Sequence, residues 1–315
     1  MNRTLSIVGV IGVILLGGFL YFSRNNKTNQ SSPNESNVNE NPQYEHAHVL
    51  FHNPDGTFLL GTHKGLFKSN DVGKTFSKVP VKGVSQELEF MNFAYDVKNK
   101  TLYAGGHGLG IVKSTDYGTT WEKTDRGIEG DDIHALVVNP NDSNRLYAYS
   151  VDHGVFGTKD GAQTWYRIDD GPANPSVTAL GYMATLTSMD QSMKKTDTTA
   201  DIGYIWAGTG GGLYSSFLCF CGWTKDTAFS STNTIYSLAP DPINKRSMLV
   251  GTTEGIFKTT DEGKNFTKVD PEIKKVASII FDLSDPKFVY AITASGNLYK
   301  SEDSGSSWKK VTKTL

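Results

Sequence analysis

Residues 69–76 read Ser69-Asn70-Asp71-Val72-Gly73-Lys74-Thr75-Phe76, and the stretch decides the fold because it returns along the chain. The second copy is Ser114-Thr115-Asp116-Tyr117-Gly118-Thr119-Thr120-Trp121, and the third is Thr158-Lys159-Asp160-Gly161-Ala162-Gln163-Thr164-Trp165, with Ala162 in the glycine slot. Two later copies are residues 259–266 (TTDEGKNF) and 301–308 (SEDSGSSW). Between them Ser216 to Trp223 (SFLCFCGW) aligns without gaps but carries Leu218 for the Asp and Phe220 for the Gly. The Asp-equivalent positions 71, 116, 160, 218, 261 and 303 lie 45, 44, 58, 43 and 42 residues apart. A period of this size marks an architecture of stacked repeats.

Each period holds four strand-like runs; in the third these are Ile133 to Asn139, Arg145 to Ser150, Gly154 to Thr158 and Thr164 to Ile168. Turn residues such as Asn139-Pro140-Asn141-Asp142 separate them, and helical periodicity is absent after residue 22. Four short antiparallel strands per period, six times over, predict an all-β, six-bladed β-propeller. Blades stack face to face, so runs such as Phe58-Leu59-Leu60 and Met248-Leu249-Val250 are apolar on both sides. The recurrent turn then falls between the third and fourth strands of a blade. Its Asp and Ser/Thr side chains bond the turn's own backbone, its Gly supplies a backbone conformation other residues resist, and its aromatic packs between blades.

Turn and spacing resemble the BNR/Asp-box repeat family over essentially all of residues 45–315. Its members include sialidases and other glycoside hydrolases, the sortilin (VPS10) propellers and photosystem II assembly factors. The resemblance therefore implies a propeller and leaves enzyme, receptor and assembly factor open. Asp71, Asp116, Asp160, Asp261 and Asp303 are read as structural box residues, not catalytic ones.

Composition excludes little except a nucleic-acid partner, for which a formal net charge of −2 gives no electrostatic basis. Leu5 to Phe22 carries no charge and as a helix would span about 27 Å, close to a hydrocarbon core. Without a small-x-small cleavage site it reads as a signal anchor over residues 1–22 rather than a cleaved signal peptide, whose removal would leave a secreted protein. Residues 23–44, rich in Asn and Ser, read as a flexible tether. The chain is thus expected at the cell membrane as a single-pass protein, a monomer with its propeller (45–315) outside the cytoplasm. Cys219 and Cys221, two apart on one strand, would point to opposite faces and are expected as free thiols. The long fourth period places an insertion, Thr185 to Ile202, between the first two strands of blade 4.

In a propeller the blade-to-blade connections and the loops between strands two and three share one face, here the mouth face. Six of the seven histidines map there, all in blades 1–3. At the entry of the inner strand these blades read Glu45-His46-Ala47-His48, Glu89-Phe90-Met91-Asn92 and Asp131-Asp132-Ile133-His134. His63, His107 and His153 follow in the second-to-third-strand loops, the last beside Asp152. Three readings stay open for this sector. His48, His63, His107 and His134 could hold a divalent transition metal with the carboxylates. The sector could bind a carbohydrate, protein or peptide ligand through His48, His63, His107, His134, Asn92 and Asp152, with Tyr236 and Trp206 assisting. Or its polar residues could simply satisfy one another.

A glycoside hydrolase would need a carboxylate pair, for which Glu89, Asp131 and Asp132 are the candidates. A sialidase would need an arginine triad, and of the domain arginines only Arg126 is expected near the mouth; Arg145 and Arg246 fall on the other face and Arg167 in a fourth strand. The expected function is a ligand-binding or assembly module, with a non-sialidase glycoside hydrolase as the alternative.

Overall fold

Each recurrent turn joins the third and fourth strands of a separate four-stranded antiparallel sheet, and there are six such sheets, each made of four consecutive strands. The computed structural model describes residues 46–84, 89–184, 203–217 and 222–311. The apolar segment, the tether, Glu45, the insertion 185–202, Leu218, Phe220 and both cysteines lie outside that set. No helix among the described residues is long and apolar enough to cross a membrane.

The inner strands, one per blade, are Ala47–His52, Asn92–Asp96, Ile133–Val138, Val177–Ala184, Ile235–Pro240 and Val276–Phe281. Second strands such as Phe58–Thr62 and Met248–Thr252 are buried at every position, as strands covered on both faces must be. The fourth strands are short and exposed, Ser77–Lys78 and Lys309–Lys310 among them. Lysine on an outer edge discourages further strand pairing.

Among the described residues there is no single central core. Six apolar clusters each lie between two neighbouring blades, for example Leu59, Phe90, Leu102 and Trp121 between blades 1 and 2. The cluster of Leu50, Phe58, Phe67, Tyr290, Ile292 and Leu298 joins blade 1 to blade 6. No strand is exchanged across that seam. Among the described residues it closes by packing, by the His52–Asp282 contact (3.4 Å), and by hydrogen bonds that include Ala47 N–H to the Ala294 carbonyl (3.1 Å) and Leu50 N–H to Ser278 Oγ (3.1 Å).

The turns are self-contained. In blade 1 the Ser69 hydroxyl donates to Asp71 Oδ1 (2.7 Å) and accepts from Gly73 N–H (2.9 Å). Asp71 Oδ1 also accepts from Thr75 N–H (2.8 Å), and Oδ2 from the Thr75 hydroxyl (2.6 Å). Blades 2, 3, 5 and 6 repeat the pattern. Two residues after each Asp hold positive φ, Glu262 at 66° and Gly263 at 82° being one pair. Glycine is needed there for a second reason: a Cβ on Gly263 would meet the Trp206 ring of the preceding blade at 2.3 Å. Blade 3 splits the two roles differently, with Gly161 at 70° and the buried Ala162 at 67°.

Candidate functional site

The first-strand entries and second-to-third-strand loops of blades 1–3 bring the expected histidines into a row. The rings of His48 and His63 meet edge to face at 4.2 Å between centroids. Those of His63 and His107 are parallel at 5.8 Å, and those of His107 and His134 are edge to face at 4.9 Å. Two carboxylates thread the row. Glu89 Oε2 hydrogen-bonds His63 Nδ1 and stands 3.8 Å from His107 Nε2. Asp132 Oδ1 lies 2.8 Å from His107 Nδ1 and 3.1 Å from His134 Nε2. The order is therefore His48, His63, Glu89, His107, Asp132, His134, running from blade 1 to blade 3.

Several polar atoms of this rim lack protein partners. Asp132 Oδ1 has two ring nitrogens within ion-pair distance, yet neither is aligned to give it a hydrogen bond, and it is buried with none. His134 Nε2, His48 Nε2 and Asn92 Oδ1 are likewise buried without a hydrogen-bond partner in the protein. Asn92 uses only its amide nitrogen, donating to the Ile133 carbonyl (2.9 Å). Burial, reinforced by the neighbouring histidines, pushes His48 down to about 3. His134 is also lowered: its burial outweighs the attraction of Asp132, and His107 works in the same direction as burial. Both imidazoles are thus neutral at neutral pH.

His48, Asn92, His134, Thr178, Tyr236 and Ser278, one from each inner strand, line a central channel of about 110 Å³. A larger groove of about 680 Å³ opens between blades 3 and 4 and meets the row at His134. Its wall includes Asp152, His153, Arg167, Asp169, Asp170 and Pro175. Glu129, at its edge, lies 3.5 Å from His153 Nδ1 and 3.9 Å from the Arg167 guanidinium.

The structure separates residues that the sequence grouped. Asp152, at φ 65°, lines the groove with His153 rather than standing in the row. Asp131 is exposed and contributes only its carbonyl, which accepts from Gly110 N–H (2.8 Å); the next residue, Asp132, reaches the imidazoles. Trp206, expected to assist at the mouth, is instead 3% exposed between blades 4 and 5, because the second residue of its fully buried stretch faces the next blade. Arg167, set aside as a fourth-strand residue, lines the groove, and Arg126 does not. Arg145 and Arg246 pair with Asp142 and Glu262 at 3.2 and 3.3 Å. The seventh histidine, His52, stacks on Phe58 at 4.4 Å and contacts Asp282 at 3.4 Å, far along the inner strand from the mouth.

No protein-family model matches the chain. It is 24% identical over 278 residues to a xyloglucanase of Hypocrea jecorina (strain QM6a), matching 82% of this chain and 30% of that protein. A probable oligoxyloglucan-reducing end-specific xyloglucanase of Neosartorya fischeri gives 24% over 279 residues, 82% of this chain and 32% of the other. The chain thus spans about a third of the length of these curated relatives. Among solved structures, the GH74 xyloglucanase from Xanthomonas campestris superposes with a TM-score of 0.57 at 16% identity, over 85% of this chain and 45% of that one. The extracellular domain of a putative one-component system from B. thetaiotaomicron gives 0.51 at 16%, over 83% and 39%. At these identities the structural likeness establishes the propeller fold.

Proposed function

We propose that this chain is an extracytoplasmic, membrane-anchored propeller of the BNR/Asp-box family that binds a carbohydrate in the groove between blades 3 and 4. The groove itself carries the reading. Its volume of about 680 Å³ lies within the usual span of small-ligand sites, and it opens beside the partnerless polar atoms of the rim. Its carboxylates and Arg167 offer acceptors and donors suited to sugar hydroxyls. The similarity to xyloglucanases supports a polysaccharide as the ligand class. Family membership rests on the five bonded turns, and anchoring on the uncharged Leu5–Phe22 segment.

Binding is favoured over hydrolysis by the site's own layout. Of the three candidate carboxylates Glu89, Asp131 and Asp132, the two that reach the histidine row, Glu89 and Asp132, have the His107 ring standing between them. A glycosidic bond would have to occupy that same space.

The test is calorimetric titration of the full chain with xyloglucan oligosaccharides, alongside an assay for new reducing ends. Binding should weaken by about tenfold or more, roughly 1.4 kcal/mol, in Arg167→Ala and Asp152→Asn, with no reducing ends released. Release of reducing ends would replace this reading with the hydrolase. Fractionation with external protease digestion tests the anchoring: the propeller should stay with the membrane pellet and be cleaved from outside.

A further inference from the structure

We propose that His107, Asp132 and His134 hold one divalent transition-metal ion at the rim of the channel. The inference goes beyond the carbohydrate reading and does not depend on it. It starts from an arrangement that is awkward for the protein alone. The buried atoms Asp132 Oδ1 and His134 Nε2 stand 3.1 Å apart without a well-aligned hydrogen bond, and His107 Nδ1 stands 2.8 Å from the same oxygen. Buried polar atoms are nearly always satisfied, and a carboxylate oxygen and two ring nitrogens that converge in this way are the ligand types a single cation takes up together.

The dimensions fit. Zinc-to-ligand distances of about 2.0–2.1 Å in a tetrahedron put neighbouring ligand atoms roughly 3.3 Å apart. The contacts of 2.8 and 3.1 Å fall slightly short of that edge, so an ion would move the ligands apart by only a few tenths of an ångström, and all three ligand atoms lie within 4.8 Å of one another. Two imidazoles with one carboxylate favour a zinc-like ion over magnesium or calcium, which take oxygen ligands.

A second trio, His63, Glu89 and His107, meets the same distance condition. There, however, Glu89 Oε2 is already engaged by His63 Nδ1. Glu89 acts instead as an outer carboxylate. Its charge, 3.8 Å from His107 Nε2, holds the ring proton on that nitrogen and leaves Nδ1 free to face Asp132. Three protein ligands leave a fourth position open. Since His134 lines both channel and groove, that position is available to water or to an oxygen of a bound ligand.

The experiment uses the full chain in detergent, stripped with a chelator and titrated with Zn²⁺ against a chromophoric competitor, with no carbohydrate present. We expect one equivalent bound, displaced by neither Mg²⁺ nor Ca²⁺. Binding should weaken at least tenfold in Asp132→Asn and in His134→Gln, and by about tenfold in the outer-shell variant Glu89→Gln. His52→Gln and His153→Gln should bind as the parent does. Co²⁺ should give the visible bands of a tetrahedral site, lost in Asp132→Asn. Absence of a bound equivalent, or binding unchanged in Asp132→Asn with its melting temperature retained, would overturn the proposal. Should His134→Gln fail to fold, Asp132→Asn decides alone. Carbohydrate titration is scored separately, so either conclusion can fail without the other.

Discussion

His48 and the turn aspartates respond to acid in different windows. His48 is lowered to about 3 by burial, so below about pH 6.5 the unfolded chain takes up a proton that the folded one refuses. Its contribution to stability is present above the unfolded value and drains away as pH falls from about 6.5 towards 3. Side-chain hydrogen bonds from Thr75, Thr164 and Asn265 hold Asp71, Asp160 and Asp261 down to about 2. At Asp303 burial pushes the other way, but the Ser307 hydroxyl and neighbouring turn bonds still bring it to about 2. Their contribution is present above about pH 4 and is lost as pH falls to about 2. These carboxylates are half-exposed or exposed, so each contributes little, and the effect comes from several acting in one window. We expect melting temperature in the presence of a chelator to decline in two phases. His48→Asn should make the upper one shallower, the remainder coming from His52 and His134, and leave the lower one intact; a variant with an unchanged upper phase would contradict the assignment. At the same scale, Gly263→Ala forces a Cβ to 2.3 Å from Trp206 at a φ of 82°. That change should cost about 2–4 kcal/mol by strain and overpacking, measured by denaturant melts.

Blades stand or fall by their shared faces. Trp121, 1% exposed, packs against Phe90 and Phe93, and its indole N–H donates to the Gly118 carbonyl (3.1 Å). Trp121→Ala should cost about 3–5 kcal/mol, with hydrogen exchange rising first in blades 1 and 2. The closing seam carries a backbone-to-serine bond of the kind that also joins blades 5 and 6. Removing the Ser278 hydroxyl leaves the buried Leu50 N–H without its acceptor. Ser278→Ala should then cost about 1–2 kcal/mol and raise exchange in blades 1 and 6 alone. Uniform loss of protection around the ring would show that no local seam exists. This is also the scale at which the sequence was most legible. Four strand-like runs per period, the full burial of Phe58–Thr62 and the turn chemistry are local properties repeated often enough to be read one period at a time. The histidine row was legible to the level of its face, because topology alone assigns loops to faces. The choice of Asp132 over Asp131 was not, since neighbouring residues in a loop point apart according to backbone angles no pattern encodes. Arg167 and the groove were hidden for a related reason: both depend on the course of residues 169–176 between blades 3 and 4.

At the scale of the molecule, each blade is contiguous in sequence and the seam between blades 6 and 1 is built like the other five. The connection from an outer strand to the next inner strand is as short as residues 271–275 and as long as 79–91. Residues 311 and 46 stand in that same outer-to-inner relation, so no blade is structurally the first. A permuted chain, opened between Lys225 and Ile235 and joined from Val311 to His46 by a linker of similar length, should fold to the same ring. Its melting temperature should stay within a few degrees of the parent's, and zinc uptake at blades 2 and 3 should be unchanged. The order in which the blades are synthesised would then be separable from the order in which they stand.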